Sequence, residues 1–287
     1  MADRFSEEQP IELGETTAIV TESSVETNLE DTNDETTNTL AGFIHRNDQK
    51  SSPEKCNVRA RLTPSNPSKA GSMWFLDPAP VVNGFDTYFT FQVSDHSKQC
   101  TFAKDQYLSI AHHRTCSVHG ADGFAFVIHL NSETTEVVGE VGEQMGFGGI
   151  ENSLAVAFDT WQNQGEDTMH NDHISIQSRG TLPNDALEAG LLGVPRPVSL
   201  ADGNVHLARI TYFADLQSKY FDQLVASDSL LPYLNDNGEQ KRIGTLVVFL
   251  DEGVETDTPI MALPINLSLL LDLPIDKVPF PTFACLP

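Results

Sequence analysis

The chain is poor in basic residues and has no long apolar run. It holds 17 Lys and Arg against 41 Asp and Glu, a formal net charge of −24 at pH 7. Nucleic acids and anionic lipid surfaces are bound through Lys and Arg, so this balance argues against both as partners. No stretch approaches the roughly 18 apolar residues that a transmembrane helix needs. The acidic composition favours divalent cations and neutral ligands instead.

Closely spaced cysteine pairs are also absent. None of the four cysteines, Cys56, Cys100, Cys116 and Cys285, lies in a CxxC pair, which argues against a zinc knuckle or a thioredoxin motif. An even number in a strand-rich chain fits disulfides and a secretory compartment. The first ten residues, MADRFSEEQP, nevertheless lack the apolar segment of a signal peptide. The two features conflict, so reduced cysteines or an unnatural start stay open.

The N-terminal segment lacks the apolar residues of a folded domain. Residues 1–35 contain eleven acidic residues and one basic residue, Arg4, among many Ser, Thr and Asn. Such a composition cannot bury enough surface to offset the entropy of ordering the chain. We predict a disordered acidic tail over residues 1–40 and a folded domain over 41–287. The tail is interpreted as a solvated spacer, with an acidic interaction motif as the alternative.

From residue 42 onward, short β-branched and aromatic runs alternate with turn residues. This pattern, without helical periodicity, predicts an antiparallel all-β sandwich. One helical stretch is expected near residues 215–226. The predicted strands are Asp86–Ser94, Gly123–Asn131, Ser153–Asp159, Ile174–Ser178, His206–Ala214 and Gly244–Asp251.

A run of metal-ligating residues follows one of these strands. Asp159, Asn163 and Asp167 recur every four residues, with Trp161 between the first two. Calcium prefers six to eight oxygen ligands from carboxylates, amide side chains and backbone carbonyls. A strand end that enters a tight loop can fold these residues around one ion, with the Trp161 carbonyl as a further ligand. Taken alone, an Asp- and Asn-rich loop is more often only a loop.

The order of the motifs along the chain is more specific than any one of them. Together they resemble the legume-type (L-type) lectin family over about residues 58–278, in the form found in lectin-like proteins of algae and protists. The matching segments are Arg61-LTP, Ala70-GSMWF, Asn83-GFDTYFTFQV, His119-GADGFAFVI, Met145-GFGGIENSLAVAFDTWQN, His173-ISI, Asp202-GNVHLARITY, Gly244-TLVVFLD and Pro264-INLSLLL.

The resemblance implies a concanavalin-like antiparallel β-sandwich (jelly roll) with a shallow monosaccharide site. It implies that Asp122, after a cis peptide bond from Ala121, accepts hydrogen bonds from two sugar hydroxyls. The Asn163 amide and the Gly146 N–H would donate to the sugar, and the Trp161 ring would stack on its apolar face. The calcium ligands would be Asp159, Trp161, Asn163 and Asp167, with His173 beside them, and the ion would position Trp161 and Asn163.

Two departures from the family pattern carry expectations of their own. Ala157 stands where the family has a glutamate ligand for a transition metal, so that second metal site is doubtful. The family's last strand and one binding loop have no counterpart after Val278, so the C-terminal end looks truncated. We expect Pro279-FPTFACLP to be a poor substitute strand, because Pro279 and Pro281 cannot donate ladder hydrogen bonds.

The predicted function is therefore calcium-dependent carbohydrate binding, with glycans or glycoproteins as partners. The family implies the secretory pathway, and weak single-site affinity suggests a homo-oligomer for multivalency. A module of this fold that has lost sugar binding is the main alternative. A glycoside hydrolase is the less favoured one, because no run of alternating acids supplies its two carboxylates.

A disulfide is expected between Cys100 and Cys116. These residues flank the polar stretch that joins the strand Tyr88–Val93 to the ADGFAF strand. Cys56 and Cys285 lie near opposite ends of the domain, and their pairing stays open.

Overall fold

Strands make up most of the regular structure, as the short β-branched and aromatic runs predict. The computed structural model describes residues 17–20, 25–26, 60–63, 69–74, 80–94, 97–104, 112–119, 121–130, 136–163, 172–236, 242–273 and 280–285. The strands are β1 (Thr17–Val20), β2 (Val25–Glu26), β3 (Ala60–Arg61), β4 (Gly71–Met73), β5 (Phe85–Ser94), β6 (Ser97–Lys104), β7 (His112–His119), β8 (Gly123–His129), β9 (Ser153–Asp159), β10 (His173–Gln177), β11 (Arg196–Pro197), β12 (Val205–Phe213), β13 (Gly244–Leu250), β14 (Met261–Ile265) and β15 (Phe280–Cys285).

Helical structure is short. The α-helices are α1 (Glu252–Thr256) and α2 (Leu267–Leu270), and the 3₁₀ helices are Val81–Asn83, Gly142–Gln144, Glu188–Gly190, Ser218–Gln223 and Asp228–Tyr233. The helical stretch expected near 215–226 is thus a 3₁₀ helix of six residues.

Antiparallel pairing joins the strands into two main sheets. The seven-stranded sheet has the order β14-β13-β12-β5-β1-β3, with β2 also paired to β5. The six-stranded sheet has the order β11-β10-β9-β8-β15-β4, and β6 and β7 form a separate hairpin. The predicted antiparallel β-sandwich is confirmed.

The main core lies between the two sheets. Residues of β5 alternate between buried and half-buried, so that Phe89 and Phe91 face the six-stranded sheet. There they meet Phe124 of β8 and Phe158 of β9, whose rings stack with centroids 4.6 Å apart. Aromatic pairs of this kind add to the burial of apolar area, which is the main source of stability in such a core.

A long connection buries the second face of the six-stranded sheet. Strands β8 and β9 are buried at nearly every position, not at alternate ones. The reason is the covering loop, residues 136–150, whose Met145, Phe147 and Ile150 are at most 1% exposed. They pack on the small residues of β8 and β9, including Ala125 and Ala157. The covering loop thereby lies beside the residues that directly precede β8.

The C-terminal segment is a full member of the six-stranded sheet, which corrects the expectation of a poor substitute strand. Strand β15 lies between β8 and β4. In the described part of the chain, Pro281 pairs with Ile128 of β8, and Phe283 and Ala284 have neighbours in both β8 and β4. The prolines therefore do not prevent β15 from pairing on both sides.

The N-terminal segment also contributes backbone pairing. β1 and β2 lie within residues 1–40, where the composition predicts a disordered tail, and both pair with β5. The disordered tail over residues 1–40 stays a prediction. The other residues of 1–40 lie outside the described part of the chain, and the domain boundary at residue 41 stays a prediction. Among the described residues, no helix is long and apolar enough to cross a membrane.

Candidate functional site

Three neighbouring strands end at the same edge of the six-stranded sheet. Gly123, the first residue of β8, is opposite Asp159, the last residue of β9. Asp159 is in turn opposite His173, the first residue of β10. Asp122 directly precedes β8, and Trp161 and Asn163 follow β9 within four residues. Strand register alone thus assembles most of the predicted site residues.

Asp122 is held by its backbone and by an amide neighbour. The Ala121–Asp122 peptide bond is cis, as the resemblance implied. The Thr160 N–H donates to the Asp122 carbonyl at 2.9 Å. The Asn163 side chain is a neighbour of the Asp122 carboxylate and acts on its pKa. The two side chains that the resemblance assigned to sugar contact therefore lie close together.

Burial raises the pKa of the Asp122 carboxyl above its ordinary value. The Asn163 side chain lowers that pKa, and the negative charge of Glu143 raises it further. The Asp122 side chain is half-buried. The charged side chain that acts on Asp122 is thus another acid.

Glycine at position 123 is required by close packing. Gly123 has a φ of +138°, and a Cβ there would collide with the carbonyl oxygen of Phe158 in β9. This close approach brings the Asp122 backbone against the end of β9. The Asp122-Gly123 pair therefore serves the pairing of β8 with β9, and its glycine is not explained by a turn alone.

Asp159 is a buried carboxylate at the centre of the three strand ends. It is 1% exposed, and its Oδ1 accepts a hydrogen bond from the Trp161 N–H at 2.8 Å. Its Oδ2 lies 3.9 Å from Nε2 of His173, which is too long for a hydrogen bond. Two ligands bound to one ion at metal–ligand distances of about 2.0–2.6 Å lie roughly 3–4 Å apart. The spacing of the two groups therefore fits shared coordination of a cation.

The other predicted calcium ligands are Trp161, Asn163 and Asp167, and the structure describes the first two of them. The Trp161 carbonyl and the Asn163 side chain lie on the chain just after Asp159, and a buried carboxylate with oxygen donors is the chemistry that calcium uses. Within the described residues, no third His, Cys, Asp or Glu joins Asp159 and His173. Asp167 lies outside the described residues.

Ala157 lies in an apolar environment. It is 0% exposed, two residues before Asp159 on the same face of β9, and opposite Ser175 of β10. The covering-loop residues Met145 and Phe147 belong to the same apolar cluster. A methyl group under this cover supplies no ligand, and the doubtful transition-metal site stays a prediction.

The predicted donor Gly146 is engaged within the covering loop. Gly146 has a φ of +62° and is buried, and its N–H donates to the Glu140 carbonyl at 2.6 Å. A sugar could use this N–H only by sharing it or by displacing that bond. Gly142 is the glycine that faces the carboxylate, because a Cβ added there would lie 3.9 Å from Asp122 Oδ2. Sequence reasoning missed Gly142, since several glycines follow one another without a distinguishing spacing.

Side-chain hydrogen bonds hold the covering loop in place. Gln144 Nε2 donates to Asp185 Oδ1 at 3.1 Å, and Gln144 Oε1 accepts from the Ala186 N–H at 3.0 Å. The Gly149 N–H donates to the carbonyl of Asn184 at 2.8 Å. The covering loop is therefore fixed to residues 184–186 on one side and to the sheet on the other.

No family model matches this chain. Among solved structures, it is similar to the crystal structure of basic winged bean lectin with Tn-antigen. The similarity covers 75% of this chain and 69% of the lectin chain, at 18% identity and a TM-score of 0.42. A likeness at this level does not identify a family.

Proposed function

We propose that this chain is a calcium-dependent carbohydrate-binding module, with a shallow monosaccharide site formed by Asp122, Gly146, Trp161 and Asn163. The observation that carries the proposal is the proximity of the Asp122 carboxylate and the Asn163 side chain at a common strand edge. A carboxylate acceptor beside an amide donor matches two adjacent hydroxyls of a sugar, each of which both donates and accepts.

Each residue has a separate role in this proposal. The Asp122 carboxylate accepts from two hydroxyls, and the Asn163 amide donates to one of them. The half-buried Trp161 presents an apolar ring to the C–H face of the sugar. The turn at Gly142 and Gly146 brings the backbone close without a side chain in the way. These residues bind and orient a ligand, and we propose no catalytic role for any of them.

Calcium would be held by Asp159, Asn163, Asp167 and the Trp161 carbonyl, with His173 beside Asp159. Bound there, the ion would fix the loop that carries Trp161 and Asn163, and the sugar would not touch it. A buried carboxylate is costly without a compensating charge, and Asp159 is 1% exposed. We expect no second, transition-metal ion, because Ala157 supplies no ligand.

The partners we propose are glycans on glycoproteins of the secretory pathway. Few contacts imply a dissociation constant of about 1 mM for one sugar, or roughly −4 kcal/mol. Binding of biological strength would then need several sites together, as in a homo-oligomer.

We also propose a disulfide between Cys100 and Cys116. The two residues are directly opposite each other in the β6–β7 hairpin. Opposed residues of an antiparallel pair have Cα atoms about 4.5–5.5 Å apart, which is within the range of a disulfide. Peptide mapping without reduction, on protein made in an oxidising compartment, would reveal the bond, and two free thiols would contradict it.

A glycan array tests the function. The intact chain is applied once with about 1 mM calcium and once with excess EDTA. We expect binding in calcium and its loss in EDTA, with recovery when calcium is restored. Asp122→Asn keeps the side-chain shape but removes the charged acceptor, and should weaken binding about tenfold or more. Asp228→Asn, in the 3₁₀ helix Asp228–Tyr233, is the matched control.

Each contrary outcome has a distinct meaning. A folded protein that binds no glycan in calcium would be the module that has lost sugar binding. Binding that EDTA leaves intact would contradict the calcium site alone. Full binding by Asp122→Asn would contradict the assigned residues, and shortening of a bound oligosaccharide would point to a glycoside hydrolase.

A further inference from the structure

The rim of the candidate site is acidic on the side of the covering loop. Gly142 begins the 3₁₀ helix Gly142–Gln144, and its Cα faces the Asp122 carboxylate. Glu143 is the next residue, is exposed, and acts electrostatically on Asp122. A ligand that reaches Asp122 therefore also enters the field of a second carboxylate.

The position of Glu143 is fixed by its neighbours. Gln144 is tied to Asp185 and Ala186 by two hydrogen bonds, and Met145 is 1% exposed under the covering loop. Gly142 accepts a hydrogen bond from the Met145 N–H at 2.8 Å through its carbonyl. The backbone of Glu143 is thus held on both sides, next to the residue that faces Asp122.

The proposed calcium ion does not cancel this charge. Its proposed ligands include the carboxylates of Asp159 and Asp167, whose two negative charges would offset the two positive charges of the ion. Asp122 and Glu143, both among the described residues, are outside that ligand set and keep their negative charges.

We propose that Glu143 determines the charge specificity of the site, so that it selects amino sugars over neutral sugars and rejects acidic sugars. This inference rests on the proposed glycan binding. A protonated amine on the sugar would be attracted by Asp122 and Glu143, and a sugar carboxylate or sulfate would be repelled by them. Between exposed groups such interactions are modest and are screened by salt.

A three-sugar series measures this selectivity directly. Each series compares the affinities of three sugars with calcium present: a neutral hexose, its 2-amino-2-deoxy analogue and its uronic acid. The series is run in the galacto, gluco and manno configurations. Ligand-observed NMR suits such weak binding. At about pH 6 the sugar amine is protonated and the uronic acid is ionised. We expect the amino sugar to bind about threefold to fivefold more tightly than the neutral one, and the uronic acid more weakly by a similar factor.

Glu143→Gln should reduce both affinity differences, that of the amino sugar and that of the uronic acid relative to the neutral hexose. The affinity for the neutral hexose should stay within about twofold. Glu255→Gln removes the same charge from α1, which contacts β12 and β13 of the opposite sheet, and should leave both differences unchanged. Raising the salt to about 0.5 M should reduce both differences in the wild type.

The outcomes separate the two proposals. If a neutral hexose binds but Glu143→Gln keeps the wild-type differences, the role of Glu143 is wrong and glycan binding stands. If the uronic acid binds as tightly as the amino sugar, the charge specificity is wrong. If no sugar of any series binds, the glycan site itself is wrong, and the specificity falls with it.

Discussion

At the residue scale, two buried histidines have opposite environments. His129 is 0% exposed, its ring lies edge-on to Trp74 at 4.8 Å, and burial lowers its pKa to about 4. His206 is 5% exposed and lies between two acids, with Nδ1 2.8 Å from Asp251 and Nε2 3.0 Å from Asp202. Burial lowers the pKa of His206, but the hydrogen bonds to both acids outweigh it and the pKa is raised.

These shifts predict a stability maximum near neutral pH. Because the folded pKa of His206 is above its unfolded value of 6.5, its contribution is full below pH 6.5 and is lost as the pH rises through the folded pKa. His129 must stay neutral in the fold, so stability falls as the pH drops from 6.5 towards about 4. Denaturation at a series of pH values should therefore give a maximum near pH 6.5.

Two substitutions separate the limbs of this profile. His206→Gln should flatten the alkaline limb and leave the acid limb, because only the ion-paired histidine is removed. His129→Phe keeps an aromatic ring beside Trp74 and should flatten the acid limb. If each variant loses stability equally at every pH, the histidines act through packing and the electrostatic assignment is wrong.

At the element scale, the covering loop connects the sheet to the candidate site. Phe147 is 0% exposed and belongs to the cluster on β8 and β9. Phe147→Ala should lower the free energy of unfolding by about 3–5 kcal/mol, because it removes a buried ring and leaves a cavity. Phe221 is 50% exposed, so Phe221→Ala is the matched control, with an expected change within about 0.5 kcal/mol.

Chemical denaturation measures both variants, and sugar affinity adds a second readout. Since Gly142 and Glu143 belong to the covering loop, Phe147→Ala should also weaken glycan binding under conditions where the protein is still folded. A loss of stability equal to that of Phe221→Ala would mean that the covering loop does not pack on the sheet as described.

The elements that could be predicted from sequence are those with a local signal. The six predicted strands correspond to β5, β8, β9, β10, β12 and β13 within two residues at either end, because alternation and flanking turn residues are local properties. The cis bond before Asp122 could be predicted only through the resemblance to a family. The role of the covering loop could not be predicted, because the burial of Ala125 and Ala157 on a second face depends on contacts between distant segments.

The C-terminal strand shows why a residue preference misled the prediction. Proline is excluded from central strands only where its nitrogen faces a hydrogen-bonding neighbour. Whether the Pro281 nitrogen faces such a neighbour depends on the register of β15 against β8 and β4, and no feature of residues 279–287 encodes that register. Register decided the outcome, and register is set by the whole sheet.

At the scale of the whole molecule, the six-stranded sheet is continuous only because β15 bridges β8 and β4. Ala284 pairs with Ala125 of β8 on one side and with Ser72 of β4 on the other. A proline at this position has no N–H to donate to either neighbour, so Ala284→Pro should interrupt the ladder and open an edge of β8 or β4. Pro281→Ala restores an N–H beside Ile128 of β8 and should change stability little.

Ala284→Gly keeps the N–H and isolates the effect of backbone pairing from that of losing a methyl group. We expect Ala284→Gly to lose roughly 0.5–1 kcal/mol, and Ala284→Pro to lose several times more and to aggregate on heating, because an exposed strand edge templates pairing with other chains. Thermal unfolding followed by circular dichroism and light scattering distinguishes the two variants. Identical unfolding of both would place the C-terminal segment outside the sheet, and β8 would then be an edge strand that another part of the molecule must protect.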